Sequence, residues 1–113
     1  MSPITSHVLD VALGRPARDL PVRLEVQDDA GSFRTLAERR TNEDGRVVDL
    51  LPDGGLEART YRVTFDTATY LIATGRPVFY PNVVVTFRVD APAEHYHIPL
   101  LLSPFGYSTY RGS

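Results

Sequence analysis

The chain ends in Tyr110-Arg111-Gly112-Ser113, which places a hydroxylated aromatic, a fixed cation and a hydroxyl beside a free carboxylate where a domain ordinarily frays. Directly before it runs HYHIPLLLSPFGYST, an apolar stretch carrying His95 and His97. Residues two apart in a strand share a face. The two histidines therefore project with Pro99 and Leu101, while Tyr96, Ile98, Leu100 and Leu102 turn to the core. His7 likewise shares a face with Leu9 and Val11. An imidazole titrates near neutrality and takes a proton from water. Arg46, just after Asp44-Gly45, stays cationic at any working pH and offers a planar fork to a carbonyl or an oxyanion. Polar groups set in apolar outer faces suggest an active site built partly from the chain end, on a surface that meets another subunit.

Taken one at a time, these residues have plainer readings. The last four fit a disordered tail. His7 fits an ordinary, partly exposed histidine. His95 and His97 fit two zinc ligands, although no third ligand stands at a recognisable spacing. Arg46 fits a solvated charge at a strand start, and Tyr110 and Arg111 fit polar decoration that blunts a sheet edge.

The elements that would position these groups are short strands separated by turn residues. Alternation marks strands at Thr5–Leu13, Val22–Val26, Arg34–Thr41, Val47–Leu50 and Tyr61–Phe65. Further strands are expected at Asn82–Val89, Glu94–Leu102 and Gly106–Arg111. Gly14-Arg15-Pro16, Asp28-Asp29-Ala30-Gly31, Asp44-Gly45, Pro52-Asp53-Gly54-Gly55 and Ser103-Pro104 supply the breaks. Asp66 is placed to cap a short helix over Thr67–Thr74 that Gly75 ends. Pro99 inside a strand implies an edge, a bulge or a backbone position that makes no hydrogen bond. Seven or eight strands with one helix predict an all-β, two-sheet antiparallel sandwich.

The bulk numbers narrow the function. With 113 residues the chain fits a single domain over 1–113, and its modest core makes a subunit interface a natural further source of stability. A formal net charge of -2 with no block of like charges argues against nucleic acid or an anionic membrane as partner. The absence of cysteine excludes disulfides, thiolate nucleophiles and sulfur-ligated metals. No apolar run approaches the roughly 20 residues of a membrane span. Residues 1–5 lack the pattern of a secretory signal, so a cytoplasmic protein is expected.

The motifs SPITSHVLDVALGRPA (Ser2–Ala17), RTNEDGR (Arg40–Arg46), FYPNV (Phe79–Val83) and HYHIPLLLSPFGYSTYRGS (His95–Ser113) resemble those of the 5-hydroxyisourate hydrolases, the enzymatic branch of the transthyretin-like family. Transthyretin shares an LLSP-YST stretch but lacks the histidines, the arginine and the YRGS ending. The resemblance covers essentially Pro3–Ser113. It implies a transthyretin-like sandwich and a homotetramer, a dimer of dimers around a central channel, with active sites at the dimer–dimer interface. It implies catalytic His7, Arg46, His97 and Ser113, with Tyr110, Arg111 and Gly112 binding substrate and His95 outside the set. The reaction implied is hydrolysis of 5-hydroxyisourate at an amide bond to 2-oxo-4-hydroxy-4-carboxy-5-ureidoimidazoline, with no cofactor and no metal. The rival reading is a non-catalytic transthyretin-like protein that holds a small aromatic ligand in the same channel. A sandwich module for protein contact through Val83-Val84-Val85 is a third.

Overall fold

The computed structural model describes residues 2–113. The strands are β1 (Ile4–Asp10), β2 (Arg15–Pro16), β3 (Pro21–Gln27), β4 (Phe33–Arg40), β5 (Arg46–Val47), β6 (Thr60–Phe65), β7 (Val83–Arg88), β8 (Tyr96–Ser103) and β9 (Gly106–Thr109). One helix, α1 (Thr67–Ala73), follows β6. They form the two-sheet sandwich the alternation predicts. One sheet runs β4-β3-β6-β7; the other runs β2-β1-β8-β9, with β5 also pairing to β1. All strand pairs are antiparallel except β1 with β8, where the two ends of the sequence meet in parallel. Among the described residues no helix is long and apolar enough to cross a membrane.

The inner faces follow the period of two. Ile4 and Val8 of β1, Leu24 of β3, Val63 and Phe65 of β6 and Leu100 of β8 are fully buried. Each such side chain contributes roughly 1.5–3 kcal/mol of burial. Val22, Val83 and Leu102 complete the layer between the sheets. Asp66 caps α1 as expected, its Oδ1 accepting from Thr69 N at 3.1 Å, and Gly75 leaves the helix at φ +71°.

Several boundaries differ from the sequence reading. β1 stops at Asp10 rather than Leu13, because the Asp10 carboxylate accepts the Leu13 amide and the chain turns at Gly14. Only Arg46 and Val47 pair as β5. Beyond them Leu50 and Leu51 drop into the core, whereas Val48 is exposed, so the expected Val47–Leu50 strand does not form. β9 ends at Thr109, two residues early, because Pro99 interrupts the ladder it would extend. Lacking an N–H, Pro99 offers only its carbonyl, which accepts from the Thr109 hydroxyl at 2.8 Å. Pairing resumes two residues from Pro99, where Gly112 N donates to His97 O at 2.8 Å.

At the far end of β1, buried Asp10 ties the helix region to the sheet. Tyr70 of α1 donates to its carboxylate at 2.6 Å, and Arg76 grips both oxygens, Nη1 to Oδ1 at 3.2 Å. Burial raises the Asp10 pKa, but the hydrogen bonds from Arg76 and Tyr70 outweigh it and hold the carboxyl below its ordinary range.

Candidate active site

The site lies on the outer face of the β5-β1-β8 sheet and is built in rows. In one row Thr5 of β1 stands opposite His97 of β8, which bridges to Gly112 of the tail. In the next, His7 of β1 lies between Arg46 of β5 and Pro99 of β8. Leu9 and Leu101 form the third. Two residues along a strand span about 7 Å, so His7, Arg46 and His97 sit within the reach of one small molecule.

Arg46 owes its place to the turn before it. The Asn42 carboxamide accepts from the Asp44 and Arg46 amides at 2.9 and 3.0 Å, closing an Asx turn. Gly45 then packs directly on β1 at φ +72°, where a Cβ would stand 2.5 Å from Val8 O. Its own carbonyl accepts Val8 N at 2.8 Å. The turn is thereby fixed to β1 beside His7, and the Arg46 guanidinium has no carboxylate partner among the described residues.

His97 is held on two sides. Its Nδ1 lies 2.8 Å from Thr5 Oγ1, and the same hydroxyl is 3.1 Å from His95 Nε2. Gly112 covers the other edge of the ring, so closely that a Cβ there would stand 2.5 Å from Cδ2. Burial lowers the His97 pKa, and Arg46, His95 and His7 lower it further. Burial and then Arg46 also lower His7, against a weaker opposing effect of Asp44 and its carbonyl. Both rings are therefore neutral near pH 7, the form that accepts a proton.

Thr5, Arg46, Val48, His95, His97 and Ser113 line a pocket of about 190 Å³, with His7 in register beside Arg46. Of the expected set, the fold brings together His7, Arg46, His97, Gly112 and Ser113. Tyr110 and Arg111 point elsewhere within the protomer. They line a cleft of about 370 Å³ at the open edge between β7 and β9. There Arg111 lies 4.2 Å over the Tyr96 ring and pairs with Glu94 at 2.9 Å. No group of three or more His, Asp or Glu side chains converges as a metal cage among the described residues.

Sequence reasoning passed over Thr5, although it is buried and bonded to both histidines. Its relation to His97 depends on the parallel β1–β8 register, which no local pattern reveals.

The pattern of the HIUase/Transthyretin family matches residues 4–112. The chain belongs to this family. A Mus musculus family member named 5-hydroxyisourate hydrolase is 42% identical over 113 residues, covering 99% of this chain and 96% of that one. The structure of Klebsiella pneumoniae 5-hydroxyisourate hydrolase superposes with a TM-score of 0.86 at 33% identity, covering 100% of both chains. Sea bream transthyretin in complex with thyroxine superposes with a TM-score of 0.91 at 30% identity, over 97% of this chain and 94% of that one. Backbone similarity therefore does not separate the proteins named 5-hydroxyisourate hydrolase from the transthyretin in complex with thyroxine. The side chains on the outer face must do so.

Proposed function

We propose that this protein hydrolyses 5-hydroxyisourate to 2-oxo-4-hydroxy-4-carboxy-5-ureidoimidazoline, in the cytoplasm, with His97 as the base. The observation that carries this reading is an imidazole, flanked by Thr5 and Gly112 and lowered in pKa by burial, in one pocket with a cation that has no carboxylate partner among the described residues. His97 takes a proton from water, and the water oxygen attacks the ring amide carbonyl. Negative charge develops on the carbonyl oxygen, where the Arg46 fork stabilises it. The tetrahedral intermediate then collapses. The C–N bond breaks, the ring nitrogen takes up the proton held by His97, and the carboxylic acid formed gives its remaining proton to solvent, leaving a carboxylate. His7 and Ser113 orient the substrate and water from either side, and Gly112 presents its backbone beside His97.

The protein acts as a homotetramer, a dimer of dimers whose central channel holds the sites. The pocket of one protomer, about 190 Å³, falls below the roughly 300 Å³ at which small-molecule sites begin, which supports a facing subunit completing it. The exposed Val11 and Leu13, and the apolar row of Leu9 and Leu101, give that subunit a surface to cover. Tyr110 and Arg111, which lie outside their own protomer's pocket, bind substrate only through the assembled tetramer.

The decay of freshly generated 5-hydroxyisourate, followed by ultraviolet absorbance, tests the reading. Acceleration by the protein supports it. Decay at the uncatalysed rate, with binding of an aromatic ligand, would favour the transthyretin-like carrier that the sea bream structure brings to mind.

A further inference from the structure

We infer that Thr5 and His95 form a hydroxyl relay that fixes the tautomer of His97, making both of them positioning residues for the hydrolysis. The inference rests on the function proposed above. It starts from hydrogen counting. Thr5 Oγ1 carries one proton and lies within bonding distance of two ring nitrogens, His97 Nδ1 at 2.8 Å and His95 Nε2 at 3.1 Å. It can donate to one of them only, and must accept from the other. Two arrangements satisfy both bonds, and they leave His97 with opposite chemistry.

In the first, His97 Nδ1–H donates to Thr5, and the Thr5 hydroxyl donates to His95 Nε2. His97 then keeps a lone pair on Nε2, and that nitrogen is the base. In the second, every proton points the other way. His97 receives the Thr5 proton at Nδ1 and carries its own proton on Nε2, which makes it a donor with no basicity to offer water. Turning the His97 ring over would set Cδ2 against the Thr5 hydroxyl and forfeit the 2.8 Å bond, so the orientation that keeps the bond offers Nδ1 to Thr5.

The surroundings favour the first arrangement. The charged and titratable groups that act on His97 are Arg46 from β5, His7 from β1 and His95 from the residue just before β8. The Arg46 cation draws an electron pair rather than a second N–H toward the pocket. Thr5 is only 7% exposed, so bulk water does not compete for its proton, whereas His95 is exposed at the rim. When the attacking water transfers its proton to Nε2, the imidazolium charge is shared with the Thr5 oxygen and passes toward His95 at the rim. His95, outside the expected catalytic set, is thereby given a role that needs no contact with substrate.

Nitrogen-15 NMR of the intact protein tests this without any turnover. Wild-type His97 should show a protonated Nδ1 and a pyridine-like Nε2. Thr5→Val keeps the shape but removes the hydroxyl, and should shift His97 toward the Nε2–H tautomer. The kcat for 5-hydroxyisourate should fall roughly 10- to 100-fold, with KM within about threefold, because a wrongly placed ring proton disables a base without disturbing binding. Thr5→Ser should restore both the spectrum and the rate. His95→Ala, at an exposed position that leaves the fold intact, should move His97 in the same direction as Thr5→Val. An unchanged His97 spectrum and unchanged kcat in His95→Ala or in folded Thr5→Val would overturn the relay. An inactive wild type would overturn the function instead, and the spectra would still show whether the relay exists.

Discussion

Gly112 leaves no space for a side chain. A Cβ there would lie 2.5 Å from His97 Cδ2 and 3.2 Å from Cγ, and the backbone at Gly112 is not in the left-handed region. Gly112→Ala therefore acts through the ring and not through backbone strain. A shift of about 1 Å in a reacting group costs on the order of 10²-fold, so kcat should drop by about that much while the melting temperature barely changes. Steady-state kinetics and a thermal melt check both halves. The pH dependence belongs to the same two rings. Burial and Arg46 lower the pKa of His97 and His7, so the fold favours their neutral forms. Rate and stability should be full above about pH 6.5, the unfolded value, and fall as pH drops through the lowered values. Arg46→Gln removes a cause of the lowering, so the NMR titration of His97 should move to higher pH. A shift to lower pH would contradict the electrostatic account.

The elements hold these residues by contacts far from the pocket. Asp10 at the end of β1 receives Tyr70 and Arg76, and removing it leaves a buried hydroxyl and a largely buried cation without partners. Asp10→Ala should cost about 3 kcal/mol, read as a lower urea midpoint. A loss under about 1 kcal/mol would show that the Asp10 network does not anchor α1. Much of this level was legible in the sequence. The alternation in β3, β6 and β8 set their inner faces, Asp66 announced the helix start, and Asp44-Gly45 marked the turn that delivers Arg46. What stayed hidden depends on partners distant in sequence. The carboxylate that ends β1 also binds Arg76, 66 residues away, and Pro99 truncates β9 only because β9 is its neighbour. His95 and His97 were visible as a pair on one face. Thr5 was not visible as their common partner, since that required knowing that β1 and β8 run parallel.

At the scale of the whole molecule, the proposed site opens on an apolar row of the sheet's outer face. Leu101 lies in that face one row from His7 and Pro99, and takes no part in the chemistry. Leu101→Glu would place a charge where the tetramer is proposed to close. It should reduce the assembly to dimers by light scattering and lower kcat/KM at least tenfold, while circular dichroism stays that of a sandwich. Full activity from a stable dimer or monomer would show that each protomer carries a complete site.

The most direct test of the account is the single-turnover rate of His97→Asn with 5-hydroxyisourate, measured beside the wild type. General-base catalysis is worth typically 10²–10⁴-fold. The variant should therefore be at least about 100-fold slower while still binding substrate. A rate within tenfold of wild type would mean that water is activated by some other group, and that the imidazole between Thr5 and Gly112 is not the base.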